Sequence, residues 1–390
     1  MLKGFRVLDL TRMLAGPYAS MILGDLGAEV VKIEPPEGDE IRKMGPPFVK
    51  GESAYFMAVN RNKKSVVLDL RDPAARAAFD RLAANADVVL DNFRPGVMDR
   101  LGIGHARLHE VNPRLVLCSL TSFGEEGPMR DLPAFDLVVQ AWSGALSVTG
   151  EPGGPPARLG IPLGDLAGGM YSTVAILGAL LERTKTGRGR RLELSLLDCL
   201  TAMTTYLAQY WFADGKVPGP QGTRHLSVVP YGAYRAADGA LVVGVFTERF
   251  WQGFCRALGR PAWEQDPRWS TNELRVKNRT ELEALIAEAL AARPAQDWLA
   301  RLNAEGVPAA PVLSLDRTLG LEQLLVRGMI QRFTHPVAGE VPTLADPILR
   351  GRPGPPPLLG QHTDEVLREV AGLSPAGIAA LAKGGRAAAH

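Results

Sequence analysis

The chain predicts an α/β fold with a parallel sheet, followed by a smaller α+β unit, and three observations carry that expectation. Over the first 120 residues, short stretches rich in branched side chains alternate with helical ones, the pattern of strands joined by crossover helices. At 390 residues the chain exceeds what one ordinary core holds, so two domains are expected. Beyond the Pro/Gly-rich stretch Gly215–Gly222 the pattern changes to a hairpin followed by helices.

Taken in order, FRVLDL at Phe5–Leu10 is a strand, and the Gly16-Pro17 break opens a helix over Tyr18–Leu26. EVVKI at Glu29–Ile33 and SVVLDL at Ser65–Leu70 are the next strands, and Asp72-Pro73 starts a helix through Ala84 with Asp as cap and Pro in the first turn. Asp87–Leu90 and Leu115–Leu120 are further strands, with short helices over Pro95–Leu101 and His105–Val111 between them. Asp136–Val148 is a helix, Arg191–Leu194 a strand and Leu197–Phe212 one long apolar helix. A hairpin turns at Asp238-Gly239 between Pro230–Arg235 and Ala240–Phe246. Helices over Arg249–Leu258, Thr280–Ala292 and Ala295–Glu305 follow, then strand-like stretches at Ala310–Leu313 and Ile330–Phe333 and a last helix at Asp364–Val370.

In a parallel sheet ligands bind at the carboxyl ends of the strands, so the loops Thr11–Pro17, Glu34–Asp39, Asn92–Gly96 and Ser122–Pro128 form the expected binding edge. None of them holds GxGxxG or a P-loop, which argues against a nicotinamide or ATP enzyme of the usual kind. The formal charge of +2 gives no reason to expect nucleic acid or a membrane surface as partner, and suits an anionic small molecule. Cys118, Cys199 and Cys255 sit in apolar contexts without metal-ligand spacing and read as reduced core thiols of a cytoplasmic protein. No signal peptide is recognisable, and no unbroken apolar run reaches the roughly 18 residues of a membrane span.

The centre of the chain is LGIPLGDLAGG, Leu159–Gly169, where Asp165 stands among glycines ahead of an apolar helix expected from Leu166 to about Arg183. A carboxylate there faces unpaired backbone N–H groups and the positive end of the helix dipole, which would hold it ionised. Taken by itself Asp165 reads as a helix cap; a reactive carboxylate is the alternative.

Eight stretches in order resemble the family III CoA-transferases and the related α-methylacyl-CoA racemases: VLDLTRMLAGP, LGDLGAEVVKIEPPEGD, NRNKKSVVLDL, DNFRPGVMDRLG, LTSFGEEGP, GDLAGGMYS, KTGRGRRLELSLLD and PPPLLGQHTDEVL. The resemblance runs nearly the whole length. It implies an interlocked homodimer whose Rossmann-like large domain is built from both chain ends, with expected bounds of 1–214 and 326–390 around a small α+β domain at 215–325. It implies acyl-CoA and a small carboxylic acid as substrates, with no permanently bound cofactor, and it puts the family's nucleophile on Asp165.

By the same resemblance Arg12, Met13, Leu14, Ala15, Leu68, Asn92, Phe93, Arg100 and Leu101 line the CoA channel, with Arg61, Lys63 and Arg94 as further cations for its phosphates. Gly168 and Gly169 are candidate oxyanion donors. Pro35 stands where formyl-CoA transferase carries a basic residue after Ile-Glu, a departure at the phosphate end. His225, in GTRHLSVVPY, falls in the flap over the acyl group and is a candidate for holding a substrate carboxylate; the loop lacks a glycine run and looks more like members using succinyl-CoA and other dicarboxylates. Among the other histidines, His105, His109 and His335 read as surface or cap residues, His362 as tying down a helix start and His390 as terminal. Phe135 replaces the histidine of the racemases and Thr247 their glutamate, with Glu248 one place away, so transfer is favoured over α-proton exchange. A CoA-binding module without catalysis stays open as the other alternative.

Overall fold

The computed structural model describes residues 1–384, which fall into two compact units, one formed by 1–146, 158–216 and the segment from Glu322 on, the other by 147–157 and 217–321. His390 lies outside the described residues.

The first unit is built on six parallel strands: β1 (Arg6–Asp9), β2 (Glu29–Glu34), β3 (Lys63–Val67), β4 (Val88–Asp91), β5 (Val116–Thr121) and β6 (Arg191–Ser195). They lie in the order β3-β2-β1-β4-β5-β6, every pair parallel. The order reverses between β1 and β4, and crossovers leave the sheet to opposite sides there, opening a crevice at the strands' carboxyl ends. Side chains alternate between the faces with the period of two that a strand imposes. Leu8, Val31, Val66, Val89 and Leu117 pack on one face against Phe79 and Leu82 of one helix and Val366 and Leu367 near the C-terminus. Val7, Val30, Val88, Leu90 and Cys118 pack on the other face against Leu23 and Ile176. Cys118, Cys199 and Cys255 are buried and free.

The helices of this unit up to residue 216 are α1 (Ala15–Asp25), α2 (Ala54–Val59), α3 (Pro73–Ala84), α4 (Val97–Arg100), α5 (His105–Val111), α6 (Asp136–Trp142), α7 (Leu163–Thr186), α8 (Leu196–Ala202) and α9 (Tyr206–Asp214). Helix α3 starts as its sequence dictates, with the Asp72 carboxylate accepting the Ala74 N–H at 2.9 Å and Pro73 in the first turn. Helix α1 begins three residues before the expected Tyr18, because Pro17 and Gly16 are accommodated in its first turn rather than ahead of it. The expected single helix over Leu197–Phe212 is two, broken where Thr205 takes a left-handed backbone (φ 42°) with neither Gly nor Pro to announce it. Besides a short antiparallel pair, Phe48–Val49 with Glu52–Ser53, the unit also holds a hairpin of β10 (Ile330–His335) and β11 (Gly339–Leu344). His335, expected at the surface, is buried there because its Nδ1 accepts the N–H groups of Val337 and Ala338 across the turn.

The second unit holds the expected hairpin, β7 (Tyr231–Arg235) and β8 (Ala240–Gly244), to which β9 (Ala309–Pro311) adds antiparallel. Its helices α10 (Glu248–Ala257), α11 (Asn272–Lys277), α12 (Arg279–Ala291) and α13 (Ala295–Ala304) cover a core of Trp251, Phe254, Trp269, Leu282, Ile286 and Trp298. Arg275 is buried and holds this core's polar side together, donating to the Val229 and Trp269 carbonyls and to both oxygens of Glu248 at 2.7 and 2.9 Å.

No unbroken apolar run is long enough to span a membrane, yet α7, at 24 residues, is long and apolar enough on average to cross one, because its glycines, serine and threonines interrupt the run without lowering the mean much. Half of its most apolar window is buried inside the fold, as in a core helix.

Candidate active site

The site grows from the loop after β1. Asp9, at the end of that strand, is buried and accepts Thr11 N–H and Oγ, Ser20 Oγ and Lys63 Nζ. Lys32 Nζ donates to the Thr11 carbonyl at 2.7 Å and pairs with Asp39 at 2.9 Å. Burial pushes the Asp9 carboxyl up, but Lys63, Lys32 and the two hydroxyls outweigh it and hold it below its usual range. Burial takes the Lys63 ammonium down to about 8, against the pull of Asp9. From the β4 end, Asn92 accepts Arg12 N–H at 2.9 Å and donates to Arg12 O at 2.8 Å, fixing the loop in which Met13 holds a left-handed backbone (φ 67°).

Two cavities meet at this loop. One, of about 1160 Å³, is lined by Arg12, Met13, Leu68, Asn92, Phe93 and Leu101, with Pro35, Lys43, Arg71 and Arg94. The other, of about 930 Å³, is lined by Met13, Leu14, Ala15, Asn92 and Phe93 and by Tyr55, Asp136, Arg130, Arg158 and Asp165. Met13, Asn92, Phe93, Arg94 and Phe135 belong to both walls, so the two form one channel along the crevice between β1 and β4. Arg12 also lies 5.5 Å from the Phe93 ring centre and pairs with Glu40.

Asp165 stands in the first turn of α7, which starts at Leu163 rather than Leu166. It is not the cap. Asp136 Oδ1, at the start of α6, accepts the N–H groups of Gly164 at 2.8 Å and Asp165 at 3.2 Å, and Gln140 Nε2 donates to its other oxygen. Nor is Asp165 held ionised. Burial and the neighbouring negative charge of Asp136 push its carboxyl up to about 7, because another carboxylate has taken the stabilising end of the helix. Burial, with the charges of Asp165, Asp39 and Asp136, raises the Tyr55 hydroxyl too, so the cavity wall keeps an O–H donor at neutral pH.

Other expected residues sit elsewhere. Arg61 is consumed by a two-toothed pair with Asp25 at 2.9 and 2.6 Å, and Lys63 by Asp9, Asn60 and the Pro17 carbonyl, so neither is available to a phosphate. Arg100 is exposed and does not line the channel, because it lies on the outward side of α4. Gly168 and Gly169 lie inside α7, beyond the four N–H groups a helix leaves unpaired, and cannot serve an oxyanion. Their job is close packing: a side chain at Gly169 would come within 2.7 Å of the Ala15 carbonyl, and one at Gly168 would collide with Leu196. His225 belongs to the second unit, edge-on to Tyr231 and Phe246, with its imidazole lowered by burial and by Arg279. A neutral ring there works against a role in holding a carboxylate. His362 starts the helix Thr363–Glu369, and its Nδ1 accepts the Ser65 N–H.

Lys43, Arg71, Tyr55, Asp136, Arg130 and Arg158 are among the polar wall residues that the sequence did not single out as part of the site. A signal existed for Arg71, a cation at the carboxyl end of an expected strand, and for Asp136, the first acidic residue of an expected helix.

A profile of CoA-transferase family III matches residues 2–363. The chain is 39% identical over 376 residues to the succinyl-CoA:glutarate CoA-transferase of Mus musculus, covering 95% of this chain and 86% of that one. It is 40% identical over 329 residues to the acetyl-CoA:oxalate CoA-transferase of Acetobacter aceti, with 84% of each covered. Among solved structures, a CAIB/BAIF family protein from Brucella suis superposes with a TM-score of 0.83 at 35% identity, covering 94% of this chain and 98% of that one.

Proposed function

We propose, from the premise that this chain belongs to CoA-transferase family III and is a CoA-transferase, that it moves CoA from an acyl-CoA to a free carboxylic acid through covalent chemistry at Asp165. The observation that carries this reading is the channel: Asp165 lines one end, and Lys43 and Arg94, neither of them in an ion pair among the described residues, supply cations for CoA phosphates toward the other.

The Asp165 carboxylate attacks the thioester carbonyl, the C–S bond breaks, and a mixed anhydride and a CoA thiolate result. The thiolate then attacks the aspartyl carbonyl, releasing the donor acid and leaving an aspartyl-CoA thioester. The acceptor carboxylate attacks that thioester, and the thiolate returns to the acceptor's carbonyl of the new anhydride, freeing Asp165. No proton is gained or lost over the cycle. A thiol of reference pKa about 8.5 is a good leaving group, and a carboxylate made more basic by its surroundings is a better nucleophile once ionised. Phe135, 71% exposed, offers no imidazole, and Glu248 has both oxygens engaged by Arg275, so neither base needed for α-proton exchange is at hand.

Hydroxylamine trapping tests the step. Incubation with an acyl-CoA should leave a hydroxamate at Asp165, and Asp165→Ala should lose at least about 10⁴-fold in turnover while CoA affinity stays within a few-fold. Near-normal turnover of that variant overturns the assignment; CoA binding without label favours a non-catalytic module.

We infer dicarboxylic acids as substrates, with succinyl-CoA or a similar ester as donor, since the relatives named above act on glutarate and oxalate. We also infer a homodimer interlocked in the manner of the family. Met170, Tyr171, Val174 and Leu181 on α7 and Tyr206, Trp211 and Phe212 on α9 are exposed apolar side chains that a second copy would cover. Light scattering should give twice the 41.9 kDa of one chain; a monomer at micromolar concentration counts against it.

A further inference from the structure

CoA brings its own anions to the channel, and they are all at the nucleotide end. The cavity around Asp165 nevertheless carries guanidinium groups of Arg94, Arg130 and Arg158. Arg94 belongs to both cavities and so can serve CoA. Arg130 and Arg158 line only the Asp165 end, where the acyl group of a thioester under attack must lie.

Several exposed arginines of the same unit are firmly paired, and these two are not. Arg71 is held by Asp69, Arg107 by Asp80 and Arg190 by Glu182, each at 2.7–2.9 Å. Arg158 donates only to the Leu159 carbonyl, at 3.3 Å, and makes no ion pair among the described residues. The carboxylate nearest Arg130 belongs to Asp131, 3.6 Å away and itself 81% exposed. Asp136 is already engaged by Gly164, Asp165 and Gln140, and no cation among the described residues stands within ion-pair distance of Asp165. The acyl end of the channel thus has uncommitted positive charge, which a methyl-terminated acyl chain would not use and a second carboxylate would.

We propose that Arg158, assisted by Arg130, binds the distal carboxylate of the acyl group and of the acceptor acid, and so is the residue that selects dicarboxylic over monocarboxylic acids. This rests on the transfer reading given above. Arg158 touches substrate without taking part in bond making; its effect is on which acid is held with its reacting carboxylate against the aspartyl thioester.

The experiment compares glutarate with valerate, two five-carbon acids that differ in having a carboxylate or a methyl at the far end, as acceptors from succinyl-CoA. In a ping-pong cycle the acceptor's kcat/KM reports only the second half-reaction, so changes in donor handling cancel. Wild type should favour glutarate about a hundredfold, Arg158→Gln should cut that ratio about tenfold or more, Arg158→Lys should restore part of it, and Arg130→Gln should cut it less. A wild-type ratio near one, or a ratio unchanged in Arg158→Gln, overturns the proposal while leaving the transfer reading intact. An enzyme that binds CoA yet transfers to neither acid and forms no hydroxamate at Asp165 overturns the transfer reading, and this inference with it.

Discussion

Asp9 and Asp165 lie in the same unit, both largely withdrawn from water, and end in opposite conditions. Asp9 is fully buried yet held ionised, because the Lys63 ammonium and two hydroxyls contact it and the nearby Lys32 charge adds to their pull. Asp165 is less buried, yet its burial pushes it to about 7 because nothing offsets it: its charged neighbour is Asp136, which adds to the rise, and the helix N–H groups that would have steadied it are spent on that neighbour. Burial is therefore not what separates a structural carboxylate from a reactive one; the sign of the surrounding charge is. The Asp9 network fixes the Thr11–Ala15 loop as a wall, whereas the Asp165 carboxylate lines the channel with no cation set against it among the described residues.

The harshest way to break the comparison is to remove the cation that defines its first half. Lys63→Met leaves Asp9 buried with its closest ammonium gone, and breaking one side of a buried pair costs roughly 3–5 kcal/mol. A fall in thermal midpoint is the expected result, largely recovered in the double variant with Asp9→Asn. If Lys63→Met unfolds at the wild-type temperature, the network is not what clamps the loop.

The second half makes the opposite prediction, and its sign can be worked out. The Asp165 pKa is raised from 3.8 to about 7 on folding, so between those values the native state binds more protons than the unfolded one. Stability then falls as pH rises through that window and levels off above it. Asp165→Asn removes the effect, so the variant should be more stable than wild type at pH 8, by an amount on the order of 2 kcal/mol once partial solvent access is allowed for, and no different near pH 3. Denaturation at the two pH values checks this. A variant less stable at pH 8 would mean that Asp165 is a structural partner like Asp9.

How much of this was legible in the chain follows from range. The strands, the Asp72-Pro73 start of α3, the Gly187 stop of α7 and the Asn92-Phe93 corner are written in residues adjacent to the feature they make. The charge states were not legible, since Asp9 meets a lysine 54 residues away and the helix-capping oxygen for Gly164 comes from 28 residues upstream. Lys63, expected as a cation for CoA phosphates, is buried together with Lys32 because the loop after β1 folds back over them. Arg61 looked available for the same reason: the chain does not say that Asp25 stands beside it. Arg130 and Arg158 lie in irregular stretches with no periodicity to read, and only their common cavity brings them into view.

The smallest effect is the sharpest test, because it asks Asp136 alone to move Asp165. In wild type the acyl-CoA kcat/KM should rise with pH and level off, with a midpoint near the Asp165 value of about 7, since only the ionised carboxylate attacks. Asp136→Asn keeps an oxygen able to accept the Gly164 and Asp165 N–H groups, so α7 still starts at the same place, but the negative charge is gone. Burial, the larger cause, stays. The midpoint should therefore move toward lower pH without reaching the value of a free aspartate, and the plateau rate should fall somewhat as the nucleophile becomes less basic. A midpoint that does not move would leave burial as the whole cause of the shift. One that moves upward would mean that Asp136 had been steadying the ionised form through the helix start it caps, the reverse of repulsion between two carboxylates that share one turn of backbone.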